Sequence, residues 1–184
     1  KFLWAKSFGS ESVDYGTSLA IHADGNIYTT GYYQDTVDFD PGIGMANISA
    51  IGGRDVFIQK LDAAGNFVWA KSFGGKNLDI GYSIAIDNAG NVYTTGFFSD
   101  TVDFDPGVGV ANISAVGRSN TFIQKLDKNG NFVWAQSFGG DGGSGGQFIT
   151  VDAADNVYTT GTFYESVDFD PGTDSMKLTS VGNN

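Results

Sequence analysis

The sequence predicts an all-β protein made of stacked copies of one unit. The hexapeptide Trp-Ala-Lys-Ser-Phe-Gly at 4–9 returns at 69–74 and, with Gln in place of Lys, at 134–139, a period of 65 residues. Segments 4–68 and 69–133 agree at 42 of 65 positions without a gap. Short β-branched and aromatic runs bounded by Gly, Asn and Asp fill each copy, and no window has helical apolar spacing. Such a repeat is typical of a supersecondary unit that buries its faces on its neighbours.

We expect a single repeat domain over 1–184, with copies at 4–68, 69–133 and 134–184, the last of them truncated. Residues 1–4 align with 66–69, which places the start of the chain in the last strand of a unit. The residues that match 55–65 are missing from the third copy. We favour a piece of a longer repeat array. The alternative is that several copies assemble into a ring through their open strand edges.

Each complete unit contains four predicted strands, which we call A to D. In the first unit they cover 18–22, 26–33, 56–61 and 67–73. The A–B and C–D connections end in Gly-Asn, as in Asp-Ala-Ala-Gly-Asn at 62–66, a pattern typical of tight hairpin turns. Four antiparallel strands in a repeating unit describe a propeller blade. The sequence therefore predicts nearly three blades, whereas a closed propeller needs about four to eight.

The sizes of the side chains fit this interpretation. Strand A carries the small residues Gly16, Ser18 and Ala20, as crowding near a propeller axis requires. Strand D carries Phe67, Trp69 and Phe73, and alternate residues of a strand share one face. We expect the tryptophans of strand D to pack between blades. Stacking on a bound glycan is the alternative.

Two segments carry a family resemblance. Val-Phe-Ile-Gln-Lys-Leu-Asp-Ala-Ala-Gly-Asn-Phe-Val-Trp at 56–69 and Tyr-Ser-Ile-Ala-Ile-Asp-Asn-Ala-Gly-Asn-Val-Tyr-Thr-Thr-Gly at 82–96 resemble the SBBP family of beta-propeller repeats. The resemblance implies blade architecture and a place in a secreted or cell-surface bacterial protein. It implies no particular activity, because the family has no single one.

Composition excludes several classes of partner. The net charge is −11, so the chain offers no basic surface for nucleic acid or for an anionic membrane. Its apolar runs are far shorter than the roughly 20 residues that a spanning helix needs, and we expect no membrane insertion. The sequence has no cysteine, which excludes disulfides, thiolate metal sites and cysteine nucleophiles.

The long B–C connections form the most unusual segment and carry Val-Asp-Phe-Asp-Pro-Gly in every copy. In an extended segment alternate carboxylates point to the same side, which would suit calcium, a cation that takes about six to eight oxygen ligands. The other interpretation, which we favour, is that these residues cap turns through backbone N–H groups. The candidate ligands are Asp35, Asp38, Asp40, Asp100, Asp103, Asp105, Asp168 and Asp170.

The D–A loops should open on the same face as the B–C loops. They carry Asp14 and Asp79 in the first two copies, whereas the third copy has Ser144. Aromatic residues that close strand B, among them Tyr33, Phe98 and Tyr164, are candidates for an exposed rim that stacks on glycans. Packing between blades is the other interpretation of these rings, and it is the one that we favour.

We expect no enzyme and no catalytic or cofactor-binding residues. The carboxylate pairs recur in every copy, whereas catalysis needs one asymmetric site. The only histidine, His22, lies at the edge of a turn. The predicted function is a non-catalytic extracellular module for binding, adhesion or spacing, with an acidic loop face for a protein or a glycan. The alternatives are a lectin-like propeller and a non-catalytic part of a larger secreted enzyme.

Overall fold

The structure is a computed structural model that describes residues 1–182. Within this range it contains sixteen strands and no helix, and so no helix long and apolar enough to cross a membrane. The strands are β1 (Tyr15–Ile21), β2 (Ile27–Tyr33), β3 (Thr36–Asp38), β4 (Asn47–Ser49), β5 (Asp55–Leu61), β6 (Phe67–Phe73), β7 (Ile80–Ile86), β8 (Val92–Phe98), β9 (Thr101–Asp103), β10 (Asn112–Ser114), β11 (Asn120–Leu126), β12 (Phe132–Gly140), β13 (Gly143–Val151), β14 (Val157–Tyr164), β15 (Ser166–Asp168) and β16 (Lys177–Thr179).

The all-β prediction is confirmed, and the predicted order of strands A to D appears twice. One sheet has the order β1-β2-β5-β6, and the same arrangement recurs as β7-β8-β11-β12 inside a six-stranded sheet. Every pairing between these strands is antiparallel. The A and B strands of the third copy, β13 and β14, pair with each other in a two-stranded sheet. The number of blades in the complete protein and the closure of a ring stay predictions.

The B–C connection differs from the long loop that we expected. In each copy it forms a hairpin of two three-residue strands. The pairs are β3 with β4, β9 with β10 and β15 with β16. Val37 lies opposite Ile48 in the first hairpin and is fully buried, so apolar packing holds the hairpin on the sheet. The sequence did not predict this pairing, because strands of three residues are too short to show an alternating pattern and the Pro-Gly turn lies between them.

The first residues of the chain also differ from expectation. Residues 1–8 were predicted as a strand D, but they are not a strand in the structure. Strand D pairs with strand C elsewhere, as β6 does with β5, and within the described residues 1–8 have no strand C beside them. Gly9 alone makes a bridge, to Asp38 of the first hairpin.

Successive sheets pack through their A strands. β7 lies against β1 and β2, and β13 lies against β7 and β8. A Cβ on Gly81 would lie 2.7 Å from Oγ1 of Thr30 and 2.8 Å from Cγ1 of Val56. The close approach of neighbouring sheets therefore requires glycine at this position, as the small residues of strand A predicted.

Aromatic rings from strands B, C and D and from the hairpin fill the core of each unit. In the first copy Phe57 is fully buried, with ring centroids 5.2 Å from Phe39 and 5.4 Å from Phe8. Trp69 lies 6.0 Å from the ring of Tyr28 in the same sheet. Its indole N–H donates at 3.4 Å to the carbonyl of Lys128, in the C–D turn of the next unit, a contact between units of the kind predicted for these tryptophans.

Candidate functional site

The hairpins and the D–A loops lie together at one end of the sheets, and we call this end the loop face. The A–B and C–D turns lie at the other end, the turn face. The two faces are separated by seven-residue strands, or about 20 Å at roughly 3.3 Å per residue. Most of the predicted binding residues belong to the loop face.

Asp79 ties two segments of the loop face together. Its Oδ2 accepts a hydrogen bond from the backbone N–H of Gly75 at 2.7 Å, and its Oδ1 accepts one from Ser99 at 3.1 Å. Asp14 makes the corresponding contacts with Ser10 and Gln34 in the first copy. Asp79 is fully buried, so it supports the loops from beneath and does not face a partner, contrary to our expectation.

A second buried carboxylate lies near Asp79. Oδ2 of Asp55 accepts from the backbone N–H of Ile51 at 2.9 Å, and its Oδ1 has no hydrogen-bond partner within residues 1–182. Burial raises the pKa of Asp55. Burial also raises the pKa of Asp79 to about 6, against the backbone hydrogen bonds, and the charges of Asp55 and Asp100 add to the rise. The corresponding residues of the next interface, Asn120 and Ser144, carry no charge.

The carboxylates of the Asp-Phe-Asp-Pro-Gly segments bind the backbone of their own hairpins. Oδ1 of Asp38 accepts from the N–H groups of Asp40 and Ala46 at 3.0 and 2.8 Å, and Oδ1 of Asp40 accepts from Gly42 at 2.7 Å. The same bonds recur in the other copies, at Asp103, Asp105, Asp168 and Asp170. This is the turn-capping interpretation that the sequence favoured.

Asp35 and Asp100 occupy a different kind of position. Each has a left-handed backbone conformation, with φ of 59° and 62°, at the start of its hairpin. Within residues 1–182 no group of three or more His, Cys, Asp or Glu side chains lies close enough to hold a metal ion. The calcium prediction stays a prediction, and the hairpin hydrogen bonds give Asp38, Asp40 and their counterparts a structural role without it.

Two residues of the candidate aromatic rim are not exposed. Tyr33 and Phe98 are fully buried in the core, so the exposed-rim interpretation is wrong for them. They point inward because the hairpin covers the end of strand B and brings Phe39 to 5.2 Å from Tyr33. Tyr164 is exposed as predicted, with 47 % of its surface accessible.

A cleft on the loop face lies between the second and third copies. Its volume is about 770 Å³. Aromatic side chains of Phe97 and Tyr164 line it together with Arg118 and Glu165, which gives it apolar surface and both signs of charge. Sequence reasoning missed Arg118, because a single arginine in a variable loop has no repeated pattern to mark it.

The hairpin tips carry apolar side chains that sequence reasoning also missed. Ile43 and Val108 are fully exposed, and Met45 and Val110 are about three-quarters exposed. The signal was present as Pro-Gly-Ile-Gly-Met and Pro-Gly-Val-Gly-Val, where apolar residues alternate with glycine in a turn. The third copy has Thr173 and Ser175 at these positions, so the apolar tips belong to the first two copies.

Comparison with known proteins agrees with the repeat architecture. Residues 68–96, which cover strand D of the first unit and strands A and B of the second, match the family model of the SBBP beta-propeller repeat. This segment of the chain is therefore similar to one SBBP repeat. The match confirms the resemblance noted in the sequence, and the SBBP motif coincides with the β6 to β8 segment of the structure.

Two curated proteins are similar to this chain. An uncharacterized WD repeat-containing protein, L264, of Acanthamoeba polyphaga mimivirus is 28% identical over 158 residues, 81% of this chain and 11% of the viral protein. Regulatory protein FlaEY of Caulobacter vibrioides is 26% identical over 118 residues, 64% of this chain and 12% of that protein. This chain thus spans about a tenth of the length of each of these relatives.

Proposed function

We propose that this chain is a non-catalytic protein-interaction module whose partner binds the loop face. The apolar hairpin tips carry this proposal. Ile43 and Val108 are fully exposed, so they bury no apolar surface that would stabilise the fold. Exposed apolar groups rimmed by polar residues are typical of interaction surfaces. Loops held on a rigid sheet scaffold are also where binding residues usually lie. Similarity to a WD repeat-containing protein supports a repeat scaffold for this role.

Charge helps to define the partner. The net charge is −11, and the loop face carries the hairpin aspartates close to the apolar tips. A partner with an apolar patch surrounded by lysine or arginine would be attracted by this field and would bury the tips. The extracellular location implied by the SBBP resemblance is part of the proposal.

Removal of the apolar tips tests the proposed function. In one variant Ile43, Met45, Val108 and Val110 become serine, and in the control Ala64 and Asn129 of the turn face become serine. Immobilised wild-type protein and both variants are incubated with extract of the source cells, and bound proteins are identified by mass spectrometry. We expect a protein that the wild type and the control retain and the tip variant loses. Equal retention by all three would exclude the loop face.

The cleft between the second and third copies favours a second candidate, glycan binding. Phe97 and Tyr164 offer apolar ring faces there, and Arg118 and Glu165 can bond sugar hydroxyls. In a glycan screen by saturation-transfer NMR, Tyr164→Ala should abolish a signal that Tyr32→Ala leaves intact. A screen in which no glycan gives a signal would rule this candidate out.

A further inference from the structure

Two buried carboxylates lie between the bases of the first two hairpins. Oδ2 of Asp55 accepts from the backbone N–H of Ile51 and closes the segment that leads from the first hairpin into β5. Asp79 closes the loop between β6 and β7 through Gly75, and it also accepts from Ser99, which leads from β8 into the second hairpin. The two side chains therefore hold segments that belong to both hairpins.

These two segments pack directly on each other. The backbone N–H of Arg54 donates to the carbonyl of Asn77 at 3.3 Å, and the N–H of Asp79 donates to the carbonyl of Arg54 at 2.8 Å. A Cβ on Gly75 would lie 2.6 Å from the carbonyl oxygen of Thr101 in β9, so the same loop also contacts the second hairpin. A movement of either carboxylate must therefore displace backbone that supports the hairpins.

The charge of the two carboxylates is not offset by a basic side chain in the described part of the chain. Within residues 1–182 neither Asp55 nor Asp79 forms an ion pair, and both are fully buried. The guanidinium of Arg54 lies over the ring of Tyr32, 4.8 Å from its centre. Lys76, in the loop between β6 and β7, is exposed.

The other titratable groups around the pair do not neutralise it either. Asp100 begins the second hairpin, and its charge adds to the rise in the pKa of Asp79. Burial raises the pKa of Tyr33 to about 12, so its hydroxyl, which donates to Oγ of Ser72 at 2.7 Å, stays neutral. Within residues 1–182, Oδ1 of Asp55 has no hydrogen-bond partner. Two ionised carboxylates repel each other in such a place, whereas one shared proton removes a charge and supplies a donor.

The next interface has the same construction with neutral side chains. Oδ1 of Asn120 accepts from the backbone N–H of Val116 at 3.1 Å, the bond that corresponds to the one from Ile51 in the first interface. Oγ of Ser144 accepts from the N–H of Thr121 at 2.9 Å. Both carboxylates are thus replaced together. The charged pair lies between the two hairpins with apolar tips, and the neutral pair leads to the hairpin with polar tips.

We infer that Asp55 and Asp79 form a pH-sensitive switch that sets the spacing of the first two hairpins. In acid the pair shares a proton and the segments 51–55 and 75–79 stay closed. As the pH rises the pair loses this proton, the carboxylates repel each other, and the two segments open. The hairpins are then free to move apart. Release of a loop-face partner under these conditions rests on the proposed function, whereas the movement of the hairpins does not.

Hydrogen exchange of single amides tests the opening. Protection factors of Ile51, Gly75 and Ser99 are measured by NMR on the full chain in acid and near neutral pH. The pKa of Asp79 is about 6 in the closed state, whereas an exposed aspartate has a pKa of about 4. We therefore expect the protection of these amides to fall by up to about fiftyfold between about pH 4 and about pH 7.5.

The neutral interface supplies the matched control. Val116 and Thr121 donate to Asn120 and Ser144, so their protection should change by less than about twofold over the same range. The double variant Asn120→Asp, Ser144→Asp should give Val116 the pH dependence of Ile51. Comparison of the two interfaces in the wild type decides the matter even if this variant fails to fold. Equal protection of the first three amides in acid and near neutral pH would overturn the switch.

Spin labels test the movement of the hairpins. The chain has no cysteine, so Ile43→Cys and Val108→Cys place two labels on the first two tips alone. In double electron–electron resonance, the distribution of this distance should be at least about twofold broader near pH 7.5 than near pH 4. The matching pair Val108→Cys, Thr173→Cys spans the neutral interface and should not change. An unchanged distance between the first two tips would overturn the inference even if a loop-face partner is found, and failure to find a partner would leave both measurements standing.

Discussion

Asp79 and Ser99 lie 20 residues apart and are joined by a hydrogen bond of 3.1 Å from the backbone N–H of Ser99 to Oδ1 of Asp79. This contact links the loop before strand A to the end of strand B. The carboxylate has no exposed surface, so its protonation is coupled to the packing of the loop face. Ser144 replaces it in the third copy and instead donates to the carbonyl of Phe138 at 2.8 Å.

Stability should depend on pH through Asp79. Its pKa in the folded protein, about 6, lies above the ordinary value mainly because of burial. The folded state therefore binds this proton more tightly than the unfolded state. The contribution to stability is full below about pH 4 and is lost as pH rises through about 6. In urea unfolding, the wild type should lose up to roughly 3 kcal/mol relative to Asp79→Asn between pH 4 and pH 7.5.

The sequence itself supplies a reverse control for that prediction. Ser144→Asp places a carboxylate at the matching position of the next interface, where it should add pH dependence of the same sign. If wild type and Asp79→Asn gave parallel stability profiles across this range, the raised pKa of Asp79 would be wrong.

The aromatic clusters should differ in what they contribute to stability. Phe57 is fully buried among rings, so Phe57→Ala should lower the free energy of unfolding by about 3 to 5 kcal/mol. Phe169 belongs to the cluster that lacks a strand C ring and is 36% exposed. Phe169→Ala should therefore cost much less, about 1 to 2 kcal/mol. Equal losses in guanidinium unfolding would mean that the third cluster is as complete as the first.

The close approach of neighbouring sheets gives a third prediction. A Cβ on Gly81 would collide with Thr30 and Val56, whereas a Cβ on Gly16 would meet only Thr29, at 3.9 Å. Gly81→Ala should destabilise the protein by about 1 to 3 kcal/mol, as overpacking does. Gly16→Ala should change stability by less than about 0.5 kcal/mol, as measured by thermal unfolding. A neutral Gly81→Ala would contradict the packing of β7 on the first sheet.

Calcium can be tested on the acidic hairpins directly. Thermal unfolding is compared in EDTA and in millimolar calcium for the wild type and for the double variant Asp38→Asn, Asp103→Asn. Because each carboxylate already accepts backbone N–H groups, we expect the melting temperatures to agree within about 1 °C. A rise of several degrees that the double variant loses would instead establish metal sites, since a ligand of the native state alone raises stability.

The repeat made much of the fold predictable. Strand D was predicted at 67–73 and is found there as β6, because its alternating aromatic residues and the Gly-Asn turn before it both mark a strand. The hairpins at 36–49 were harder, because a three-residue strand is too short for its alternation to be recognised.

The site was less predictable than the fold. Tyr33 is a candidate rim residue from the sequence, since the sequence alone does not reveal that the hairpin folds back over it. Burial of Asp55 and Asp79 was equally hidden, because aspartate is mostly exposed in proteins.

The most direct test of the account is site-specific photo-crosslinking of the loop face in the source cells. A photoreactive amino acid replaces Val108 at a hairpin tip and, in a parallel strain, Asn129 on the turn face. We predict a discrete crosslinked band from position 108 that is absent from position 129. Crosslinks from position 129 alone would contradict the proposal that the loop face is the interaction surface.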